Sequence, residues 1–183
     1  MRSVLLFISL FCSISVLYAE PERLNEEKSQ EILEWLIGNS SIKYVEGKFI
    51  EVTESSNFTL KKRGRWFYSR PDEVDWTYIV KENGRYIKDR DAQSRHKKFL
   101  KSFLPLMRDC FTGKVFSDSA RFHYRVFVTD SEKYLVVLVP TKGLLHDKYS
   151  KITFCFSPRR RIPRWVKLRG HSGKLREIRL EVL

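Results

Sequence analysis

The stretch KKRGRWFYSRPDEVDWTYI, residues 61–79, places five aromatic side chains in two short segments and separates them with Arg-Pro-Asp-Glu. In the second segment Val74, Trp76 and Tyr78 alternate with polar residues, which is the period of a half-buried β-strand. We interpret the acidic residues Asp72, Glu73 and Asp75 as turn and rim charges. A catalytic carboxylate pair is disfavoured, because neighbouring strand positions point to opposite faces. The stretch therefore predicts a strand with a ring-rich face.

Further strands are predicted after this stretch. Apolar and polar residues alternate at 122–128, 152–156 and 178–182, whereas 133–140, KYLVVLVP, is apolar on both faces. Turn signals separate the predicted strands at Asn83-Gly84, Asp130-Ser131, Thr141-Lys142-Gly143 and the GHSG of 170–173. Short strands joined by tight turns predict one antiparallel sheet, large enough to curl.

Two segments have helical periodicity instead. Residues 22–37 gather their apolar side chains towards one side and end at Gly38-Asn39. Residues 95–111, RHKKFLKSFLPLMRDCF, repeat apolar side chains every three and four positions. Pro105 is expected to bend or restart this second helix, because proline removes a backbone hydrogen bond.

These elements fit one domain, residues 20–183, with no internal repeat and no linker. A curved antiparallel sheet needs its concave apolar face covered, and two helices are available to cover it. The predicted fold class is therefore α+β, an incomplete antiparallel β-barrel with helices across its mouth. Such a layered arrangement can enclose a hydrophobic cavity.

The N-terminal residues 1–19 have the layout of a secretory signal peptide. Arg2 precedes an apolar run over residues 4–17, and Ala19 supplies the small residue at a cleavage site. The run is shorter than the roughly 20 residues that a membrane-spanning helix needs, which disfavours the alternative of a retained anchor. We expect cleavage near Ala19 and export of the remainder.

The chain carries a formal net charge of +13, spread along its length. Such a charge favours an acidic partner, which can be a nucleic acid, an anionic membrane surface or an acidic ligand. For an exported protein we prefer the membrane surface and expect no nucleic acid. A basic surface that is merely solvated is the alternative.

Only Cys110 and Cys155 remain after removal of the predicted signal peptide. In an oxidising compartment the two cysteines can pair and close a long loop. Two isolated buried thiols are the alternative, and the sequence leaves the choice open.

The sequence shows none of the patterns that mark an enzyme. The four histidines are scattered without metal-ligand spacing, and there is no CxxC pair, no GxSxG elbow and no phosphate-binding glycine loop. We therefore expect no catalysis, no metal and no cofactor.

Aromatic side chains are abundant instead, with 4 Trp, 8 Tyr and 13 Phe. Each ring buries a large area, so these rings suit either a dense core or the lining of a cavity for an apolar guest. An acyl chain gains several kcal/mol on leaving water for such a lining, at about 25 cal/mol per Å². Both interpretations stay open on composition alone.

A series of motifs resembles the family of periplasmic lipoprotein carriers typified by LolA. In chain order these motifs are VEGKFIEV at 45–52, Gly64 with the rings and Arg70-Pro71 up to Trp76, VKENGRYI at 80–87, LVVLVPTKGLLHDKYSKITFCFS at 135–157 and IPRWVKLRGHSGKLREIRL at 162–180. The likeness covers nearly all of the chain after the predicted signal peptide. Each motif is weak alone, and their order gives the resemblance its specificity.

The resemblance implies an incomplete barrel whose helices form a lid over a hydrophobic cavity. It also implies a monomeric periplasmic carrier of an acylated lipoprotein or other lipid-like molecule, moving from an inner-membrane donor to an outer-membrane acceptor. The lid-contacting arginine of the family corresponds to Arg70, and an ordinary rim residue before a proline is the alternative for this position.

The predicted ligand-binding residues are apolar and lie on the first half of the sheet and on the second helix. They are Phe58, Leu60, Trp66, Val74, Trp76, Tyr78, Phe99, Phe103 and Met107. Two other functions compete with the carrier: a regulatory protein of the same fold that senses lipoproteins, and an enzyme of lipid or glycan metabolism.

Overall fold

The computed structural model describes residues 21–38, 42–71 and 73–183, so the predicted signal peptide lies outside the described residues. The strands of this part are β1 Glu22–Arg23, β2 Tyr44–Ser55, β3 Phe58–Ser69, β4 Glu73–Glu82, β5 Arg85–Lys88, β6 Phe122–Val128, β7 Tyr134–Pro140, β8 Tyr149–Ser157, β9 Arg160–Gly170 and β10 Leu175–Val182. The helices are α1 Glu26–Ile37, α2 Arg90–Arg95, α3 Lys97–Phe111, α4 Lys114–Ser117 and α5 Gly143–Lys148.

The strands of the described part form one antiparallel sheet in the order β1-β6-β7-β8-β9-β10-β2-β3-β4-β5. The strands β1 and β5 lie at its two edges, and within the described ranges they do not pair with each other. A sheet of this size curls, and with its edges unjoined it makes an open barrel. The predicted fold class, an incomplete antiparallel β-barrel with helices, is confirmed.

The concave face of the sheet is set by strict alternation along β2. Val45, Gly47 and Phe49 are buried on this face, whereas Glu46 and Lys48 between them are exposed on the other. Gly64 of β3 lies opposite Phe49, and a Cβ at Gly64 would overlap the Phe49 ring and the Thr77 carbonyl. The absent side chain lets Phe49 lie across β3 and stack on Trp76, with ring centroids 4.1 Å apart. Gly64 therefore serves the packing of the rings that follow it in the sequence.

Helix α3 covers this concave face with one apolar side. Its buried apolar residues recur at helical spacing: Leu100, Phe103, Leu106, Met107, Cys110 and Phe111. Phe111 stacks on Trp66 of β3, with centroids 5.4 Å apart. The helix continues through Pro105, so the expected restart does not occur. Tertiary packing of this side outweighs the one backbone hydrogen bond that proline removes.

The first helix starts later than predicted. Glu22–Arg23 pair with Val128 and Phe127 of β6, which removes them from the predicted helix. Asn25 then caps α1, its side chain accepting a hydrogen bond from the Lys28 backbone N–H. The two-residue strand β1 is too short to leave an alternating pattern in the sequence.

Three short helices were not predicted. The helix α5 begins at Gly143, where the sequence indicated only a turn, and α2 and α4 add six and four residues. Helices of one or two turns have too few positions to show helical periodicity. None of the helices within the described ranges has the length and apolar character needed to cross a membrane.

Candidate functional site

The inner part of the concave face is filled by aromatic and aliphatic side chains. Seven of the predicted ligand-binding residues are buried or half-buried in this part: Trp66, Val74, Trp76, Tyr78, Phe99, Phe103 and Met107. The Trp76 ring contacts Phe49 on one side and meets the Phe103 ring of α3 nearly edge-on, at 5.0 Å between centroids. Phe103 thus occupies the position in front of Trp76 that a guest would take.

The outer part of the same face carries apolar side chains that are exposed. We call it the open strip and define it by Phe58, Leu60, Val80 and Ile87. Phe58 is 51% and Leu60 is 41% exposed, and Leu60 lies opposite Thr53 on the concave face. Val80 and Ile87 are each 43% exposed and lie opposite each other in the β4–β5 hairpin. The strip therefore continues the ring-filled face outward beyond the cover of the helices.

A buried ionic cluster separates the filled part from the open strip. Its centre is Glu51, which is 1% exposed. The Tyr78 hydroxyl donates to the Glu51 carboxylate at 2.5 Å, and Arg176 Nη1 lies 3.1 Å from its Oε1. His96 Nε2 lies 3.7 Å from the same oxygen, and Thr53 Oγ1 donates to it at 3.3 Å.

Sequence reasoning missed this ionic cluster, although the signal was present. In VEGKFIEV, Glu51 is in phase with Val45 and Phe49 on the buried face. A carboxylate on an apolar face needs a charged or hydrogen-bonding partner. Its partners come from β4, β10 and the α2–α3 junction, which the sequence does not bring together.

Burial governs the protonation of two members of the cluster. Burial, and then the Glu51 charge, raise the pKa of Tyr78 far above its ordinary value, so the phenol remains a hydrogen-bond donor. Burial also lowers the pKa of His96 below its ordinary value, which favours the neutral imidazole. His96 connects α2 to α3, and its Nδ1 lies 2.9 Å from the Ala92 carbonyl oxygen.

We expect acidification to destabilise the protein through His96. Because the folded-state pKa of His96 is depressed, the unfolded chain binds the proton more readily. The contribution of His96 is therefore complete above its ordinary pKa of about 6.5 and is lost as the pH falls below that value and through the depressed folded-state pKa. Urea denaturation at pH 7.5 and 5.5 should show a smaller loss of unfolding free energy in His96→Asn than in the wild type.

The matched control for this measurement is His123→Asn, since His123 is exposed on β6. This variant should keep the wild-type pH dependence. A wild-type protein that gains stability on acidification would contradict the assignment, because the neighbouring Glu51 charge would then outweigh burial.

A groove opens beside the ionic cluster at the end of the barrel, and we call it the mouth groove. Its volume is about 400 Å³. It is lined by Lys98, Phe99, Asp147, Lys148, Tyr149, Leu168, Gly170, His171, Ser172, Lys174 and Arg176. The guanidinium carbon of Arg176 stands 3.7 Å from the centre of the Phe99 ring. Phe99 thus lies between this opening and the filled interior, where its ring stacks on Phe103 with centroids 4.8 Å apart.

A second groove, the helix groove, lies along the other side of α3. Its volume is about 720 Å³, and Leu100, Leu104 and Pro105 supply its apolar floor. Lysine and arginine side chains from β5, α2 and α3 surround this floor. The helix that fills the concave face is therefore flanked on two sides by apolar openings with basic rims.

The arginine that contacts the end of a helix is Arg161. Its guanidinium donates to the Gly38 carbonyl at the end of α1 and lies 5.5 Å from the Trp35 ring centre. Arg70 is exposed in the turn after β3, and its backbone N–H donates to the Lys43 carbonyl at 2.9 Å. Within the described residues the Arg70 side chain forms no hydrogen bond, ion pair or ring contact with a helix, so its role as a lid contact stays a prediction.

The structure holds Cys110 and Cys155 as two buried thiols. Cys110 lies on α3, on the concave side of the sheet. Cys155 of β8 points to the opposite face from Phe154 and Phe156, which are on the concave side. The two side chains thus lie on opposite faces of the sheet, which disfavours the disulfide that the sequence left open. Burial raises the pKa of both thiols.

The geometry supports reversible binding better than covalent chemistry. Glu51 is sealed from solvent and engaged by four partners, which leaves it no access to a substrate. Among the described residues, no three His, Cys, Asp or Glu side chains come together as metal ligands. Apolar area, basic rims and a helix seated on a ring-filled face are the features that a ligand can use.

No protein-family model matches the sequence, and no curated protein matches it. Solved structures similar to it include LolA-superfamily proteins. One, from Nitrosomonas europaea, has 10% identity and a TM-score of 0.35, over 84% of this chain and 91% of that chain. Another, from Vibrio parahaemolyticus, is described as a candidate outer-membrane lipoprotein-sorting protein domain. It has 10% identity and a TM-score of 0.36, over 87% of this chain and 93% of that chain.

A third similar structure is a DUF1329 family protein from Desulfovibrio piger, with 9% identity and a TM-score of 0.38 over 85% of this chain and 90% of that chain. Likenesses of this size concern the fold. They carry no information on the ligand of this chain or on the roles of its residues.

Proposed function

We propose that the protein is a periplasmic carrier that reversibly binds the acyl chains of a lipoprotein or other lipid-like molecule and moves it towards the outer membrane. In this proposal an inner-membrane donor loads the carrier and an outer-membrane acceptor unloads it. The carrier acts as a monomer of one domain, without catalysis, metal, cofactor or nucleic acid.

One observation carries the proposal: the open strip and the ring-filled interior lie on the same face of the sheet, on either side of the ionic cluster. Leu60 and Trp66 lie on the same side of β3, the first exposed and the second buried under α3. An acyl chain that binds the strip meets the ionic cluster and the edge of α3, and it can extend further only if the helix moves. The face is thus suited to a ligand that replaces the helix.

The energies of the two competing contacts are similar. The apolar side chains that α3 buries contribute on the order of 10 kcal/mol in total, at about 1.5–3 kcal/mol for each large one. An acyl chain of about a dozen methylenes gains roughly the same amount, at about 0.8 kcal/mol per buried CH₂. An exchange between helix and acyl chain is therefore close to balanced, as reversible carriage requires.

The basic surface fits the proposed route. Its net charge of +13 attracts the protein to an anionic membrane surface, where lipid-like cargo is collected and delivered. Lysine and arginine residues also rim both openings beside α3. Charge thus brings the carrier to the membrane, and apolar area holds the cargo.

The experiment is a titration of the purified protein with the neutral probe monooleoylglycerol, together with detergent-free mass spectrometry of protein taken from its native host. We expect bound acyl species and saturable binding of the probe. The variant Leu60→Asp should weaken probe binding by about tenfold or more, because a carboxylate would then lie on the apolar strip.

Ile50→Asp is the matched control. Ile50 is 39% exposed, like Leu60, but it lies on the convex face of β2 opposite Arg63. Its substitution should leave probe binding unchanged. Absence of bound acyl species together with absence of probe binding would refute the carrier and favour a protein-binding role.

A further inference from the structure

We propose that the mouth groove binds the anionic head group of the acylated ligand, a phosphate ester or a carboxylate, while the acyl chain lies along the open strip. This inference rests on the proposed function and names the class of cargo. The ligand would be an anionic amphiphile rather than a neutral lipid.

The mouth groove concentrates positive charge from four separate elements. Lys98 belongs to α3, Lys148 to α5, Lys174 to the β9–β10 turn and Arg176 to β10. Asp147 is the acidic residue of the lining. Glu51 offsets Arg176, but within the described part of the chain no carboxylate pairs with the three lysines. The three lysines of the groove therefore have no carboxylate partner among the described residues.

The hydrogen bonds of Lys148 show the same lack of an acidic partner among the described residues. Its Nζ donates to the Lys98 carbonyl at 3.0 Å and to Ser102 Oγ at 3.1 Å, so neutral oxygens are its partners there. Desolvation lowers the pKa of this ammonium, and the neighbouring Lys101 charge lowers it further. An anion in the groove would offset both the desolvation of Lys148 and its repulsion by Lys101, because charge-assisted hydrogen bonds are stronger than bonds to neutral acceptors.

Two of the cations stand over rings, one in the mouth groove and one on the open strip. Arg176 lies over Phe99 at 3.7 Å, and Lys174 Nζ lies 5.9 Å from the Phe58 ring centre. A head group held by these side chains therefore places its first methylenes against aromatic faces.

The sheet register makes the groove and the strip continuous. Leu60, Thr53, Arg176 and Leu168 lie opposite one another in a single row across β3, β2, β10 and β9. One end of the row is the open strip, and the other lines the mouth groove. The helix groove also has basic residues, but it is built on β5, α2 and the far side of α3, and this row does not reach it.

The test compares three probes on the same protein: oleoyl lysophosphatidate, monooleoylglycerol and glycerol 3-phosphate, each below its aggregation limit. Lysophosphatidate should bind about tenfold more tightly than monooleoylglycerol, since the phosphate adds charge-assisted hydrogen bonds. Glycerol 3-phosphate should bind far more weakly than either, because it lacks the chain that occupies the strip.

The combined variant Lys98→Met, Lys148→Met and Lys174→Met should abolish the preference for lysophosphatidate and leave monooleoylglycerol binding unchanged. Arg176 is kept because it belongs to the ionic cluster. The control variant removes three exposed lysines far from the groove: Lys28→Met, Lys48→Met and Lys114→Met. It has the same net charge and should retain the preference.

Each outcome decides between the two proposals. Equal binding of both acyl probes by the wild type, or the same loss in the control variant, overturns the head-group site and leaves the carrier standing. Glycerol 3-phosphate binding as tightly as lysophosphatidate also overturns it, in favour of a site for soluble phosphate esters. Failure of both acyl probes to bind refutes the carrier itself.

If the combined variant does not fold, Lys98→Met and Lys174→Met are measured singly. Each is expected to weaken lysophosphatidate binding by about threefold, because each removes one exposed charge pair. Unchanged affinity in both would overturn the proposal.

Discussion

Replacing Glu51 by alanine is expected to lower the free energy of unfolding by about 3–5 kcal/mol, the cost of breaking a buried ion pair from one side. The Arg176 side chain is 14% exposed, so its charge would remain largely buried without the carboxylate. The Tyr78 hydroxyl would also lose its acceptor. Urea denaturation of Glu51→Ala and of the wild type measures the difference directly.

Two variants test whether this loss comes from the uncompensated charge. The double change Glu51→Leu with Arg176→Met removes both charges and should recover most of the stability, as apolar replacement of buried ion pairs often does. Glu177→Ala should cost about 1 kcal/mol or less, because Glu177 pairs with Lys167 and Arg179 on the outer surface. A loss in Glu51→Ala as small as that in Glu177→Ala would contradict the structural role of the cluster.

The fold was largely predictable because its strands are long and alternate strictly. The period of two places Trp66, Trp76 and Tyr78 on one face, and the β3–β4 register confirms that they share it. The helix α3 was predictable for a similar reason, since its 15 residues cover several turns. The short helices and β1 were not, because they are too brief for a pattern to develop.

The site was less predictable because it depends on where the helices end. Alternation correctly places Phe58 and Leu60 on the concave face, but it does not show that they lie beyond the cover of α3. The same limit applies to contacts between distant residues. Gly38 and Arg161, which are joined by a hydrogen bond, lie 123 positions apart in the sequence.

Composition left open whether the aromatic rings form a dense core or line a cavity for a guest, and the structure combines features of both. The inner rings are packed against α3, as in a core, whereas the open strip and the two flanking grooves leave apolar area beside the helix. Both features belong to one surface. Under the proposed function the protein is closed when empty, and its own helix takes the place of the cargo.

This view makes Phe103 a competitor of the ligand, and its replacement should separate stability from binding. Phe103→Ala is expected to lower the free energy of unfolding by about 3–5 kcal/mol, the usual cost of truncating a buried phenylalanine. It should also tighten monooleoylglycerol binding by about tenfold, because the space in front of Trp76 no longer has to be vacated. Urea denaturation and probe titration measure the two effects.

Phe122→Ala is the control for this variant. Phe122 is as buried as Phe103, but it lies on β6 beside Tyr124, far along the sheet from β4. Its truncation should cost a similar amount of stability and leave probe affinity unchanged. If both variants bind the probe alike, or if Phe103→Ala binds it more weakly, then α3 does not compete with the ligand. The inner rings would then be core only, and any acyl binding would be confined to the open strip.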